Sequence, residues 1–255
     1  MKLAFKKLGS GKPLFILHGL FGSSDNWQTL GKRFAEFYTV YLIDERNHGH
    51  SPHSEEFNYK VMSEDLNELM QDEGLESVML LGHSMGGKAA MQFAVDHPEK
   101  VEKMMVVDIG PGQYPVTNQD VVDAIEKFDP QTLASRKEAE NILSLYIKEE
   151  GVKQFLLKNL YWDDNQKLQW RFDFENIKKN IKRVGDITPM PNKPIDIPVL
   201  FLKGERSHYI VESNTDLMKI IFPQAQVEVI ANAGHWVHAD QPQAFFDAVM
   251  KFLQE

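Results

Sequence analysis

Ser84 stands in Leu81-Gly82-His83-Ser84-Met85-Gly86-Gly87, a G-x-S-x-G pattern that makes it a candidate nucleophile. The spacing has a steric reason. A serine on a sharp strand-to-helix turn takes strained φ/ψ, and side chains two positions to either side would collide within that turn. Glycines at 82 and 86 remove them. A helix opening near Met85 would aim free N–H groups at the same point. The competing reading is a glycine-rich nucleotide-binding turn. That reading wants G-x-G-x-x-G, and Ser84 occupies the place of its second glycine.

A serine nucleophile needs a base, an orienting acid and donors for the developing oxyanion. His235, in Ala233-Gly234-His235-Trp236, follows the last strand-like run and so falls on the same sheet edge as Ser84. It is the expected base. His18 and His83 sit inside tight turns, His208 follows a strand ending near Gly204, and His238 is expected to line the entrance. His18-Gly19-Leu20-Phe21-Gly22 is a small-residue turn suited to the oxyanion, with the N–H groups of Leu20 and Met85 as donors and Phe21 as second choice. The chain has no cysteine, which removes thiol nucleophiles, thiolate metal sites and disulfides. His48 and His50 read as a loop pair rather than a ligand set, so no metal and no cofactor is expected.

Elements that position these residues are legible from periodicity. Runs at Leu14–Leu17, Val40–Ile43, Val78–Leu81, Met104–Val107, Val199–Leu202 and Val227–Ile230 are mostly continuously apolar, as parallel strands buried on both faces are. Helical spacing lies between them at Val61–Met70 and Lys88–Val95, and again at Ala244–Leu253. Alternating β and α elements predict a doubly wound, mainly parallel sheet. Lys2–Leu8 adds an expected edge strand, turned by Gly9-Ser10-Gly11. From Gln113 to Ile195 the rhythm breaks into helical segments at Asp120–Phe128, Arg136–Glu149, Val152–Asn159 and Phe174–Arg183, and the prolines at 189, 191, 194 and 198 suggest a stiff return. The expected organisation is a core of 1–112 and 196–255 with an all-helical insertion at 113–195. Two ordinary crossover helices with long loops are the alternative.

In this order the three motifs resemble the α/β-hydrolase superfamily, over essentially the whole chain. Asp44-Glu45-Arg46-Asn47-His48-Gly49-His50-Ser51 matches a D-x-R-x-x-G-x-S turn common there, read as structural, with Arg46 in a charge-assisted hydrogen bond near the site. The resemblance implies the α/β-hydrolase fold, with 113–195 as a helical cap, or lid. Members usually carry the acid in a G-E-x-D turn after the strand that follows the cap. Here that turn is Gly204-Glu205-Arg206-Ser207, so Ser207 replaces the expected Asp. Asp108, in Val106-Val107-Asp108-Ile109-Gly110-Pro111, ends the neighbouring strand and keeps the order Ser…Asp…His. It is the expected acid, with Glu205 or an acid-free dyad as alternatives and Ser207 as a candidate network member. The elbow, V-D-I-x-P, the absent turn Asp and A-G-H-W-V-H together resemble the bacterial YbfF-type esterases and their mitochondrial relatives, α/β-hydrolase domain protein 11.

That resemblance implies a serine hydrolase of carboxylic esters, acyl-CoA thioesters being a second class. Cofactor-free C–C hydrolysis, elimination or perhydrolysis by the same residues is an alternative, as is a catalytically retired binding protein. Phe21, Trp236, Phe155 and Trp162 are the expected pocket side chains. Arg171 and Lys178–Lys179 are candidates for a CoA phosphate, against a simple solvated face. A net charge of −9 over 255 residues argues against a nucleic-acid surface. Leu14–Leu17 is too short for a secretory signal or a membrane span. The expectation is a cytoplasmic protein acting on a small acyl ester, its state as monomer or dimer left open.

Overall fold

The computed structural model describes residues 1–115, 119–127 and 129–255. Its strands are β1 (Phe5–Leu8), β2 (Pro13–Leu17), β3 (Thr39–Ile43), β4 (Val78–His83), β5 (Val101–Val107), β6 (Leu160–Trp162), β7 (Leu168–Trp170), β8 (Val199–Gly204) and β9 (Ala225–Ile230). Among the described residues, seven of these form one sheet in the order β1-β3-β2-β4-β5-β8-β9. Only β1 runs antiparallel, pairing Phe5 with Ile43 on β3. The helices are α1 (Gln28–Phe34), α2 (Tyr59–Asp72), α3 (Met85–Asp96), α4 (Gln119–Glu126), α5 (Arg136–Tyr146), α6 (Glu150–Leu157), α7 (Phe174–Lys179), α8 (Glu212–Ile221), α9 (Val237–Asp240) and α10 (Pro242–Gln254).

Alternation along the central strands sends side chains to both faces, which is why those runs are apolar throughout. Phe15, Leu17, Leu80, Met104 and Phe201 pack with Leu66, Met70, Ala90 and Phe93 of α2 and α3. Leu14, Ile16, Met79, Leu81 and Leu200 pack on the other face with Phe34 of α1 and Phe245 and Val249 of α10. Val227 and Val229 of β9 are exposed, because β9 is an edge strand with a neighbour on one side only. Arg46 forms a buried two-point pair with Asp65 of α2, at 2.6 and 2.8 Å. It thus ties the β3 turn to α2 and bonds to none of the candidate site residues.

The stretch between β5 and β8 departs from an all-helical insertion. Strands β6 and β7 pair antiparallel, Leu160 opposite Trp170. The Asp163 carboxylate accepts the N–H groups of Asn165 and Lys167, and Gln166 takes φ 57°. This is local turn chemistry that helical spacing does not report. The helix expected to run to Glu149 stops at Tyr146, where Ile147 is extended at φ −110°. The helix expected to reach Arg183 divides into α7 and a 3-10 turn, Ile181–Gly185. The expected end at Phe128 lies outside the described residues.

Entry and exit of this stretch run side by side, with the Tyr114 N–H donating to Gly185 O at 2.8 Å. Lys88 of α3 pins both. Its buried Nζ donates to the carbonyls of Pro111, Gly112 and Asp186, and burial pulls its pKa down to about 7.

Candidate active site

The turn from β4 into α3 places Ser84 at φ 52° and ψ −114°. A Cβ on Gly82 would lie 2.2 Å from Gly86 O, and one on Gly86 would lie 2.6 Å from both Leu17 O and His18 O. The glycines are therefore required by each other and by the end of β2, not by contact with Ser84 itself. Asp108, just past β5, is also left-handed at φ 52°. Two such non-glycine residues mark backbone held in place by its surroundings.

These turns bring Ser84, His235 and Asp108 into one hydrogen-bonded chain. His235 Nε2 lies 3.1 Å from Ser84 Oγ, and Nδ1 lies 2.7 Å from Asp108 Oδ2. A carboxylate only accepts, so Nδ1 carries the proton and Nε2 faces the serine hydroxyl as an acceptor. Asp108 is fully buried. Its Oδ1 accepts the Gly204 N–H at 3.1 Å, and its Oδ2 also accepts the Ser207 hydroxyl. Ser207 therefore stands where the resemblance led us to expect an acid, and holds the Asp108 carboxylate. Glu205 turns elsewhere: its Oε2 accepts the Asn232 N–H at 2.8 Å. Tyr209 stacks on the His235 ring at 4.1 Å, and the His83 side chain lies 2.9 Å from His235 O. Sequence reasoning missed both supports, since neither lies in a motif that reports a contact across the sheet.

Among the described residues, the N–H groups of Leu20 and Met85 have no acceptor. The Phe21 N–H is already given to His48 Nε2 at 3.1 Å, which removes the second-choice donor.

A cavity of about 560 Å³ opens over Ser84 and His235. Phe21, Phe155 and Trp236 line it, as expected, and so do Tyr146, Val152 and Tyr209. Trp162 does not. It ends β6, is 45% exposed, and lies beside Leu133, Ala134 and Gln166 in a separate surface depression. The β-hairpin, which the all-helical reading of the insertion did not include, carries it outward. Trp170 and Phe172 stack on each other at 5.0 Å, and Phe172 meets Phe21 at 4.9 Å. Arg171 bonds to His50 and Lys178 pairs with Glu126.

His238 does not line the entrance but is buried against Trp27, ring centroids 4.2 Å apart. Burial lowers the His18 pKa, pushes His48 and His83 well below the ordinary imidazole range, and brings His238 to about 3. Glu45 is shifted in the opposite proton sense: burial raises its carboxyl well above the usual range, and neither oxygen has a partner among the described residues. A depressed histidine costs stability only below its unfolded pKa, near 6.5, where the unfolded chain takes a proton that the native chain refuses. Glu45 acts in the opposite sense, because its native carboxyl keeps a proton that the unfolded chain releases above about pH 4.5. We therefore expect stability to fall with decreasing pH below about 6.5, where the unfolded histidines take protons that the buried native rings refuse. Melting temperatures at pH 7, 6 and 5 measure this, and equal values across the series would contradict it.

No helix among the described residues is long and apolar enough to cross a membrane. The chain is 40% identical over 250 residues to mouse sn-1-specific diacylglycerol lipase ABHD11, covering 94% of this chain and 80% of that one. It is 34% identical over 250 residues to the Escherichia coli esterase YbfF, covering 96% and 94%. A solved marine microorganism esterase superposes with a TM-score of 0.97 at 43% identity, over 99% of both chains. The family profile described as alpha/beta hydrolase fold matches residues 12–242. With its mainly parallel sheet and serine turn in the positions described, the chain belongs to the α/β-hydrolase family.

Proposed function

We propose that the protein hydrolyses carboxylic esters through an acyl-enzyme on Ser84. The observation that carries this reading is the continuous chain from Ser84 Oγ to His235 at 3.1 Å and from His235 to the buried Asp108 at 2.7 Å. The names of the relatives, esterases and a lipase, agree with it.

In this reading His235 Nε2 takes the Ser84 proton as Oγ attacks the acyl carbonyl, and Asp108 holds the imidazole in the tautomer required. The N–H groups of Leu20 and Met85 receive the oxyanion. His235 then returns the proton to the leaving alcohol, and water repeats the sequence to release the acid. Ser207 keeps Asp108 in place. Residues 113–195 form the cap over a core of 1–112 and 196–255, with Phe155, Tyr146 and Val152 as its contribution to the pocket. Oxygen esters are the first class to assay: of the CoA-phosphate candidates Arg171, Lys178 and Lys179, the first two already meet His50 and Glu126.

A fluorophosphonate probe should label Ser84 stoichiometrically, read by peptide mass spectrometry, and p-nitrophenyl acetate should be cleaved. An acetyl-CoA assay runs beside it. Absence of both labelling and ester cleavage in folded protein would sink the hydrolase reading.

A further inference from the structure

Ser84 stands between two chambers of unequal size. The larger, about 560 Å³, is lined by His235, His83 and Trp236 as well as Ser84. The smaller, about 40 Å³, has Ser84, Leu20, Met85, Ile109, Ile181 and Val184 in its wall. His235 lines only the larger.

That asymmetry assigns the two ends of an ester. When the tetrahedral intermediate collapses, the bond from carbon to the alcohol oxygen breaks and that oxygen takes its proton from His235. It must therefore lie within hydrogen-bond reach of the ring. The alcohol then occupies the chamber that His235 lines. The acyl chain leaves the same carbon in a direction separate from both the alcohol and the oxyanion. The space beside Ser84 that His235 does not line is the small chamber.

We infer that the small chamber is the acyl subsite and restricts the enzyme to short, uncharged acyl groups on bulky alcohols. This rests on the hydrolase reading above and adds to it a substrate class. A single water needs about 10–15 Å³ of such space, so 40 Å³ admits an acetyl or propionyl group and not a fatty-acyl chain. Charge is excluded on similar grounds. Lys88 is the cation at the chamber wall, and its three N–H bonds go to the carbonyls of Pro111, Gly112 and Asp186. None is left for a substrate carboxylate. Ile181 and Val184 lie in the turn that ends the inserted stretch, so that turn sets the acyl length.

The test varies each end of the ester separately. With p-nitrophenol as constant leaving group, kcat/KM should fall by about 100-fold from acetate to octanoate, as rejection of several methylenes by a closed pocket predicts. Val184→Ala and Ile181→Ala should each raise the octanoate-to-acetate ratio by about tenfold. The ratio of 1-naphthyl acetate to p-nitrophenyl acetate should stay unchanged in both. Phe155→Ala, in the large chamber, should do the reverse. A flat or rising chain-length series in the unaltered enzyme overturns the assignment, as does a change in alcohol preference, rather than acyl preference, in the Val184 and Ile181 variants. Failure of the hydrolase reading looks different, with no ester cleaved and no probe on Ser84.

Discussion

Ser84→Ala is expected to lower kcat for ester cleavage by about 10⁶-fold while the protein stays folded. The fold should tolerate the change for local reasons. The strained backbone at φ 52° already accommodates a Cβ, and the Ser84 side chain makes no capping bond to α3. What disappears is the hydroxyl 3.1 Å from His235 Nε2, the atom that would become bonded to the acyl carbon. The residual rate should reflect the oxyanion donors and substrate binding alone. Steady-state turnover of p-nitrophenyl acetate and thermal melting by circular dichroism measure the two halves. Retained turnover in a folded variant would move the nucleophile elsewhere.

Asp108→Asn should cost about 10⁴-fold in kcat, again without loss of fold. Three donors converge on this carboxyl group: His235 Nδ1–H, the Ser207 hydroxyl and the Gly204 N–H. A carboxylate satisfies all of them. An amide has only one accepting oxygen, so its NH₂ must face a donor whichever way it turns. The least costly relief is for His235 to shift its proton to Nε2, which leaves Ser84 without a base. Ser207→Ala removes one donor and leaves the other two, so a smaller loss is expected, about 10- to 100-fold for a hydrogen bond to a charged group. Near-normal turnover in Asp108→Asn would show that His235 works as a dyad with Ser84, and Glu205→Gln would then be the next variant to assay.

Much of this was legible where the physics is local. The G-x-S-x-G turn declares itself because its constraint lies within five residues: a Cβ at Gly82 meets Gly86 itself. Central strands were legible because burial on both faces demands unbroken apolar runs. The hairpin of β6 and β7 was not, since its two short strands follow helical stretches and its turn is built by one aspartate rather than by glycine. Trp162 was misplaced for the same reason. Its aromatic character says that it can pack, and only the path of the chain says against what.

By itself the sequence determined the fold class, the serine on its strained turn, the histidine loop on the same sheet edge, and the absence of any thiol to compete with Ser84. Those follow from residue type, periodicity and short-range sterics. Only the tertiary structure decided which carboxylate reaches His235, what Ser207 does, and how space is divided around Ser84. The ends of β5 and β8 are neighbours because the strands pair in register, Val107 opposite Leu202. Across that pairing Asp108 and Ser207, far apart in the chain, share a hydrogen bond. The unequal chambers arise where the exit turn of the inserted stretch meets the start of α3. Shape of that kind depends on contacts between distant segments, and no spacing within a single segment encodes it.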